Sequence, residues 1–282
     1  MTKTQPVAGA SVATIVIEPR HGWRDLGIAE LWERRELLYF FVWRDLKVRY
    51  KQTFFGAAWA VLQPFLLMVV FSVSLGRIPG VGPEGIPYPL FVFAGLVPWT
   101  LFAQSLTGAS NSLVGGESII TKVYFPRLLL PFAAVGSFVL DFLIALGVLM
   151  LLMVWFGVTP SLAILWVPAL TVLALVTALG IGTFLAAVNV RYRDVRYVVP
   201  FLVQLWLFAS PVVYTSTLVP EEWRLLYALN PMTGVVEGFR WAVLGGPRPD
   251  ELIFVSAAAS VVILAGALLY FRRVERTFAD VI

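Results

Sequence analysis

The sequence predicts an all-α integral membrane protein with six transmembrane helices, an N-terminal interfacial amphipathic helix and re-entrant helices before the last span. Three observations predict it. Hydrophobic residues make up 59% of the 282 and charged residues 13%, against about 45–50% and about 25% in soluble domains. The apolar residues fall into long runs without a charge. Lys and Arg gather on alternate connections between those runs. The same composition closes other routes. A net charge of +4 with so much apolar content excludes a disordered chain. Zero cysteines exclude a disulfide scaffold, a thiolate metal site and a cysteine nucleophile. The single histidine, His21, lies in the N-terminal arm, so a membrane enzyme built on several histidines is excluded.

A spanning helix needs about 20 mostly apolar residues. Gln52–Gly76 and Gly85–Gly116 are charge-free and supply spans at about 54–76 and 88–112. Leu128–Val190 holds one charge, Asp141, and is too long for one span. It breaks at Gly157-Val158-Thr159-Pro160-Ser161, a turn composition, into spans at about 130–156 and 162–188. Tyr197–Pro220 and Leu252–Phe271 supply the last two, at about 197–218 and 252–271. With the N-terminus inside, 17 of the 21 basic residues fall on inner segments; only Arg77, Arg224, Arg240 and Arg248 fall outside. The positive-inside rule therefore predicts both termini in the cytoplasm, and it explains the basic pI without nucleic acid. The first apolar run begins about 50 residues in and is long enough to span, which argues against a cleavable signal peptide. Residues 1–29 read as a flexible cytoplasmic extension, 30–52 as the interfacial helix, 53–276 as the membrane domain and 277–282 as a cytoplasmic tail.

In the arm, Trp32, Tyr39, Trp43, Leu46 and Tyr50 step by seven, four, three and four residues, which puts them on one helical face. Arg and Lys fill much of the remainder, as in a helix lying in the membrane interface. Phe41 and Val48 fall on the opposite side, so the helix is also expected to pack against protein. A plain anchor and a mechanical element both fit this pattern. The inner loop Gly116–Arg127 is short and predicted helical up to Pro126. It reads either as a connector or as a contact for a cytoplasmic partner. The loop Asn189–Tyr197 carries three arginines that mark the inner face.

Asp141 sits near the middle of the third span, where a carboxylate costs about 2.5–3.5 kcal/mol on insertion scales. It is expected to face the bundle interior or water, as an ion relay or as a structural group. No Lys, Arg or His lies within the predicted spans to pair with it. The fifth span holds Pro200, Gln204, Trp206, Phe208, Ser210, Pro211 and Tyr214, and the first holds Phe54, Phe55, Trp59, Gln63 and Phe65. Kinked, aromatic helices suit a path for a large, partly apolar substrate, since sugar rings stack on aromatic faces. Lipid-facing or core positions remain the alternative for each aromatic, because 14% of the whole chain is aromatic. The outer segment Leu218–Glu251 mixes Glu221, Glu222, Glu237, Asp250 and Glu251 with Trp223, Tyr227, Phe239 and Trp241, and Asn230-Pro231 breaks it. This predicts two short amphipathic helices over 219–246, dipping into the outer interface or folded above it. There is no phosphate-binding G-x-x-x-x-G-K-[ST] motif, so this chain is not an ATPase. No cluster of carboxylates and histidines marks a transferase site.

Three stretches together resemble the membrane subunit of a bacterial polysaccharide ABC exporter, the type-2 permease family that exports O-antigen, capsule and teichoic acid. They are Arg44–Lys51 running into Gly56–Pro64, Lys122–Arg127 with Leu130-Pro131, and Val190–Val195 leading to Ser210–Tyr214 with Asn230-Pro231-Met232 beyond. The resemblance covers about residues 30–276. It implies two copies of the permease paired with two separate ATPase subunits, which use ATP and Mg2+; no cofactor is then bound by this chain. It implies that a lipid-linked polysaccharide moves from the cytoplasm across the inner membrane between the first and fifth spans of both copies. Phe54, Phe55, Trp59, Phe65, Gln204, Trp206, Phe208 and Tyr214 would then form the sliding surface. Glu117, Ile120, Lys122, Tyr124, Phe125 and Arg127 would meet the ATPase, and the arm would touch it too. Trp223, Asn230, Pro231 and Phe239 would lie in re-entrant helices near the outer gate. Two other readings stay open from the residues: the permease of a drug or small-lipid exporter, and a membrane-embedded glycolipid or isoprenoid-handling enzyme.

Overall fold

The computed structural model describes residues 32–51, 56, 58–78, 80–83, 85–245, 248–275 and 278. The extension at 1–29, most of the tail at 277–282, and Phe54 and Phe55 lie outside the described residues. The described residues are helical and contain no strand. In chain order the helices are α1 (Arg35–Lys51), α2 (Ala58–Leu75), α3 (Tyr88–Gly115), α4 (Glu117–Ile120), α5 (Leu129–Ser137), α6 (Val139–Trp155), α7 (Val167–Arg191), α8 (Val195–Phe208), α9 (Glu221–Ala228), α10 (Pro231–Leu244) and α11 (Ile253–Val274). Among the described residues, five helical stretches are long and apolar enough to cross a membrane: Ala58–Leu75, Tyr88–Gly115, Leu129–Trp155, Leu162–Arg191 and Ile253–Val274.

Helix α3 is the hub. It is apolar on every side and buried on nearly every side, as such a helix must be. It packs against α2, α5, α6, α7, α8 and α10. The closest helix approaches run through small residues. A Cβ on Gly182 of α7 would stand 2.6 Å from Ala109 Cβ of α3, and one on Gly180 would stand 2.9 Å from the Leu264 backbone nitrogen of α11. Without a hydrophobic drive between helices in lipid, such close backbone contact supplies the attraction.

Two departures from the sequence reading matter for function. The third span is interrupted: α5 ends at Ser137, Phe138 takes the junction, and α6 restarts at Val139. Asp141 therefore lies in the first turn of α6 rather than in an unbroken helix. The predicted fifth span, 197–218, contains a helix of only 14 residues, α8, which stops at Phe208. Beyond it the chain unwinds through Ala209–Thr215 to a 3-10 turn at Ser216–Leu218. The charge-free run is long enough for a span, but Pro211 cannot donate the helical hydrogen bond that would continue it.

Helices α2 and α8 both flank α3, and both leave a wide apolar face uncovered. On α2 the exposed positions include Trp59, Phe65, Val69, Val70 and Val73; on α8 they include Tyr197, Phe201, Leu205 and Phe208. Phe71 of α2 meets Phe208 of α8 with ring centroids 6.2 Å apart, so the two faces adjoin.

Candidate translocation and coupling sites

The arm helix does not stand apart from the bundle. Helix α1 packs along α5, and a Cβ on Gly136 would already lie 3.1 Å from Val42. This contact delivers Arg49 to the break in the third span. Arg49 Nη1 donates to Asp141 Oδ2 at 3.0 Å and to the Ser137 carbonyl at 3.3 Å, and its Nη2 donates to Ser137 Oγ at 2.7 Å. Its guanidinium lies 3.8 Å from the centre of the Phe138 ring. Tyr50 donates its hydroxyl to the other carboxylate oxygen, Asp141 Oδ1. Asp141 thus has the cationic partner that no predicted span could offer. That partner comes from the arm, 92 positions away in sequence, which is why a search confined to the spans finds none. The carboxylate is held through both oxygens, one by a guanidinium and one by a hydroxyl, which offsets part of the cost of burying it. Beside the pair opens a cavity of about 280 Å3 lined by Arg49, Tyr50, Trp59, Gln63, Gln104 and Asp141, among others.

The inner loop is folded as a ledge. Helix α4 is a single turn, and residues 121–128 continue without regular structure until α5. Phe125 is buried, with its ring centroid 5.3 Å from that of Phe41 in the arm. Arg127 donates through Nη1 to the Glu275 backbone carbonyl just beyond α11, and stacks 5.8 Å from the Phe278 ring. The loop is thereby pinned between the arm and the end of the last helix. Its tip is left outward: Val123 is 59% and Tyr124 89% exposed, with Lys122 beside them. Glu117 and Ile120 are half-buried at its base.

At the other end of the bundle, α9 and α10 form the pair of short helices expected over 219–246, broken at Asn230-Pro231. Pro231 opens α10, where its missing N–H costs nothing, and Asn230 caps it by accepting from Met232 N at 3.1 Å. The same Asn230 accepts from Trp206 Nε1 at 3.0 Å and donates to Ala209 O at 3.1 Å and Ser210 Oγ at 2.9 Å. Arg240 of α10 is buried and serves the unwound stretch after α8. It donates to the carbonyls of Pro211, Val212 and Tyr214, and to Phe91 O of α3 at 3.1 Å. Gly95 makes room for it, since a Cβ there would come within 2.5 Å of Arg240 Nη2. Tyr88 adds a hydrogen bond to Val213 O at 2.7 Å. Irregular backbone at membrane depth persists only when buried in protein or lining water. Here a single guanidinium supplies most of the donors.

Residues 36–244 match the ABC-2 type transporter family, from the arm helix to the end of α10. The chain belongs to the ABC-2 type transporter family. It is 35% identical over 257 residues to an O-antigen export system permease protein of Myxococcus xanthus, covering 90% of this chain and 98% of that one. An O-antigen export system permease of Klebsiella pneumoniae is 27% identical, covering 88% and 95%. A polysialic acid transport protein of Escherichia coli is 25% identical, covering 82% and 91%. The chain is therefore the integral membrane permease of an ABC-2 transporter, a transport subunit and not itself an enzyme. Such permeases work with ATP-binding subunits.

The sequence-predicted residues of this permease separate into groups. Trp59, Phe65, Gln204 and Phe208 stand on the uncovered faces of α2 and α8. Trp206 and Tyr214 do not. Trp206 packs edge-on against Phe102 at 5.2 Å and is tied to Asn230. The Tyr214 hydroxyl donates to Phe208 O at 2.9 Å and pairs with the Tyr227 hydroxyl at 2.8 Å. Their polar tips hold the end of α8 together. In the arm, Trp32, Tyr39 and Trp43 are exposed, Leu46 is half-buried, and Tyr50 reaches Asp141. In the outer pair Trp223 is exposed while Phe239 and Pro231 are buried in the core. From sequence, Arg240 reads only as an outer charge and Arg49 only as part of the basic stretch Arg44–Lys51. The signal that singles out Arg240 is its place inside a largely apolar helix, PMTGVVEGFRWAVL, beside Glu237.

Proposed function

We propose that this permease exports a lipid-linked polysaccharide from the cytoplasm across the bacterial inner membrane, as a homodimer served by two separate ATPase subunits. The likeness over 98% of the length of an O-antigen export permease carries the reading. Another relative is named for polysialic acid transport, so both named cargoes are glycans. The fold adds support. The uncovered faces of α2 and α8 adjoin, and a second copy placed against them would enclose a path between the two chains. In this arrangement α8 and the clamped stretch to Tyr214 serve as the fifth of six crossings, shortened because α9 and α10 re-enter from outside to meet it. Both termini are cytoplasmic. The exposed tip Lys122–Tyr124 then faces the ATPase, which binds ATP and Mg2+, and the arm receives its motion through Phe41 and Phe125.

Deleting the gene in the host and profiling surface glycan on gels tests the reading. Loss of the glycan, with lipid-linked chains accumulating inside, is expected. Unchanged surface glycan together with a new drug sensitivity would favour a small-molecule exporter instead.

A further inference from the structure

The chain beyond the last helix is built into the inner ledge. Helix α11 ends at Val274, and the eight residues after it, ERTFADVI, hold one aromatic, Phe278. That residue is only 1% exposed. It meets Phe271 of α11 edge-on, with ring centroids 5.4 Å apart. Both rings belong to an apolar cluster that also takes Leu113 of α3, Phe125 and Leu128 of the inner loop, and Leu129 of α5. The Arg127 guanidinium lies 5.8 Å from the centre of the Phe278 ring.

A second attachment runs through Glu275. Arg127 donates through Nη1 to its backbone carbonyl, and the Arg127 backbone N–H donates to its Oε1 at 3.4 Å. The other carboxylate oxygen, Oε2, lies 3.6 Å from Arg272 Nη1 on the last turn of α11. A long ion pair of this kind contributes little by itself. The buried ring and the charge-assisted bond to the carbonyl therefore do most of the holding. What they hold has little regular structure of its own. The loop ties its two ends with Lys122 N to Ile119 O at 3.1 Å, Val123 N to Ile119 O at 3.0 Å and Leu129 N to Pro126 O at 3.0 Å. Between them it is anchored by side chains, Phe125 to the arm and Arg127 to the tail. An exposed tip that is ordered before binding spares its partner the entropy of ordering it. The residues that supply this order lie beyond the stretch matched by the family, which ends at Leu244.

We propose that Glu275 and Phe278 are positioning residues for coupling to the ATPase: through Arg127 they brace the tip Lys122–Tyr124 in the shape that the ATP-binding subunit meets. The proposal rests on the reading that this tip faces the ATPase, and it assigns a role to a tail that the sequence presents only as an end. Neither residue needs to touch the partner. Removing the brace leaves the tip chemically unchanged and lets it move.

The chain lacks cysteine, so one introduced thiol reports on one place. Full-length permease in lipid nanodiscs carries a spin label at Val123→Cys on the exposed tip or, as a control, at Leu151→Cys on the exposed face of α6. Affinity for the ATP-binding subunit that co-purifies with the wild type is titrated on unlabelled chains. Phe278→Ala should sharpen the spectrum at position 123, leave that at 151 unchanged and raise Kd severalfold. Phe278→Leu, which refills the cluster, should bring both readings back toward wild type. Arg127→Met cuts the same contact from the loop side and reads tip mobility if Phe278→Ala does not fold. An unchanged spectrum at 123 in these variants would overturn the proposal, and so would a loosened tip with unaltered Kd. Tyr124→Ala in the same titration separates the two claims. Weaker binding by Tyr124→Ala beside wild-type binding by Phe278→Ala would remove the brace and leave the docking tip standing. Undiminished binding by Tyr124→Ala would remove the docking tip, and the brace with it.

Discussion

Trp206 of α8 donates its indole N–H to the side-chain oxygen of Asn230 at 3.0 Å, joining the last turn of a shortened helix to the cap of an outer one. That bond belongs to a compact clamp. Asn230 also holds Ala209 and Ser210, and Arg240 holds the carbonyls that follow. The end of α8 is consequently positioned by residues that come 20 to 30 places later in the chain.

Asn230→Ala removes four hydrogen bonds and leaves buried partners unmatched, so a loss of about 2–3 kcal/mol is expected. Trp206→Phe removes one of them and should cost about 1 kcal/mol. Thermal unfolding of the purified permease in detergent distinguishes the two. Equal midpoints for both variants would mean that Asn230 acts through Trp206 alone.

Arg240→Lys keeps the charge and loses the fork. One ammonium cannot reach the carbonyls of Pro211, Val212, Tyr214 and Phe91 together. Destabilisation of about 3 kcal/mol is expected, along with faster proteolysis between Ala209 and Thr215. Wild-type protease resistance in Arg240→Lys would show that the unwound stretch is held by packing instead.

Asp141→Asn strands the Arg49 guanidinium beside an apolar break and should cost about 3 kcal/mol, the low end for a broken buried pair because Arg49 keeps some solvent contact. The double variant Arg49→Met/Asp141→Leu should recover part of that loss. A double-mutant cycle on unfolding gives the coupling directly. A coupling near zero would show that Arg49 does not hold Asp141 and would leave its relay and structural roles open.

Tyr124→Ala at the exposed tip of the inner loop should change stability by less than about 0.5 kcal/mol yet weaken co-purification with the ATPase. Phe125→Ala should do the reverse in order of effect, costing about 3 kcal/mol because its buried ring against Phe41 is lost. Pull-down and unfolding, measured on both variants, separate docking from folding. Undiminished co-purification of Tyr124→Ala would move the ATPase contact off this tip.

What the sequence makes legible here is what is local. Charge-free runs of sufficient length locate the stretches that became α2, α3, α7 and α11, because burial in lipid acts on each run by itself. The Asn230-Pro231 break and the two short helices around it are likewise written in adjacent residues. The end of α8 is only half written there: Pro211 stops the helix locally, but the donors that hold the unwound chain sit on Arg240, in another element. Asp141 fails to reveal its partner for the same reason: Arg49 precedes every span and reaches it only once α1 packs on α5. Trp206 and Tyr214 share the residue types of a sliding surface with Trp59 and Phe208. Only their hydrogen bonds to Asn230, Phe208 O and Tyr227 separate scaffold from exposed face.

The most direct test of glycan export is ATP hydrolysis by the permease reconstituted in nanodiscs with an ATP-binding subunit from the same host, measured with and without the host's lipid-linked polysaccharide. Hydrolysis stimulated severalfold by that polysaccharide, with the stimulation reduced by Tyr124→Ala, is the predicted result. Hydrolysis indifferent to the polysaccharide but raised by small amphiphilic drugs would contradict it.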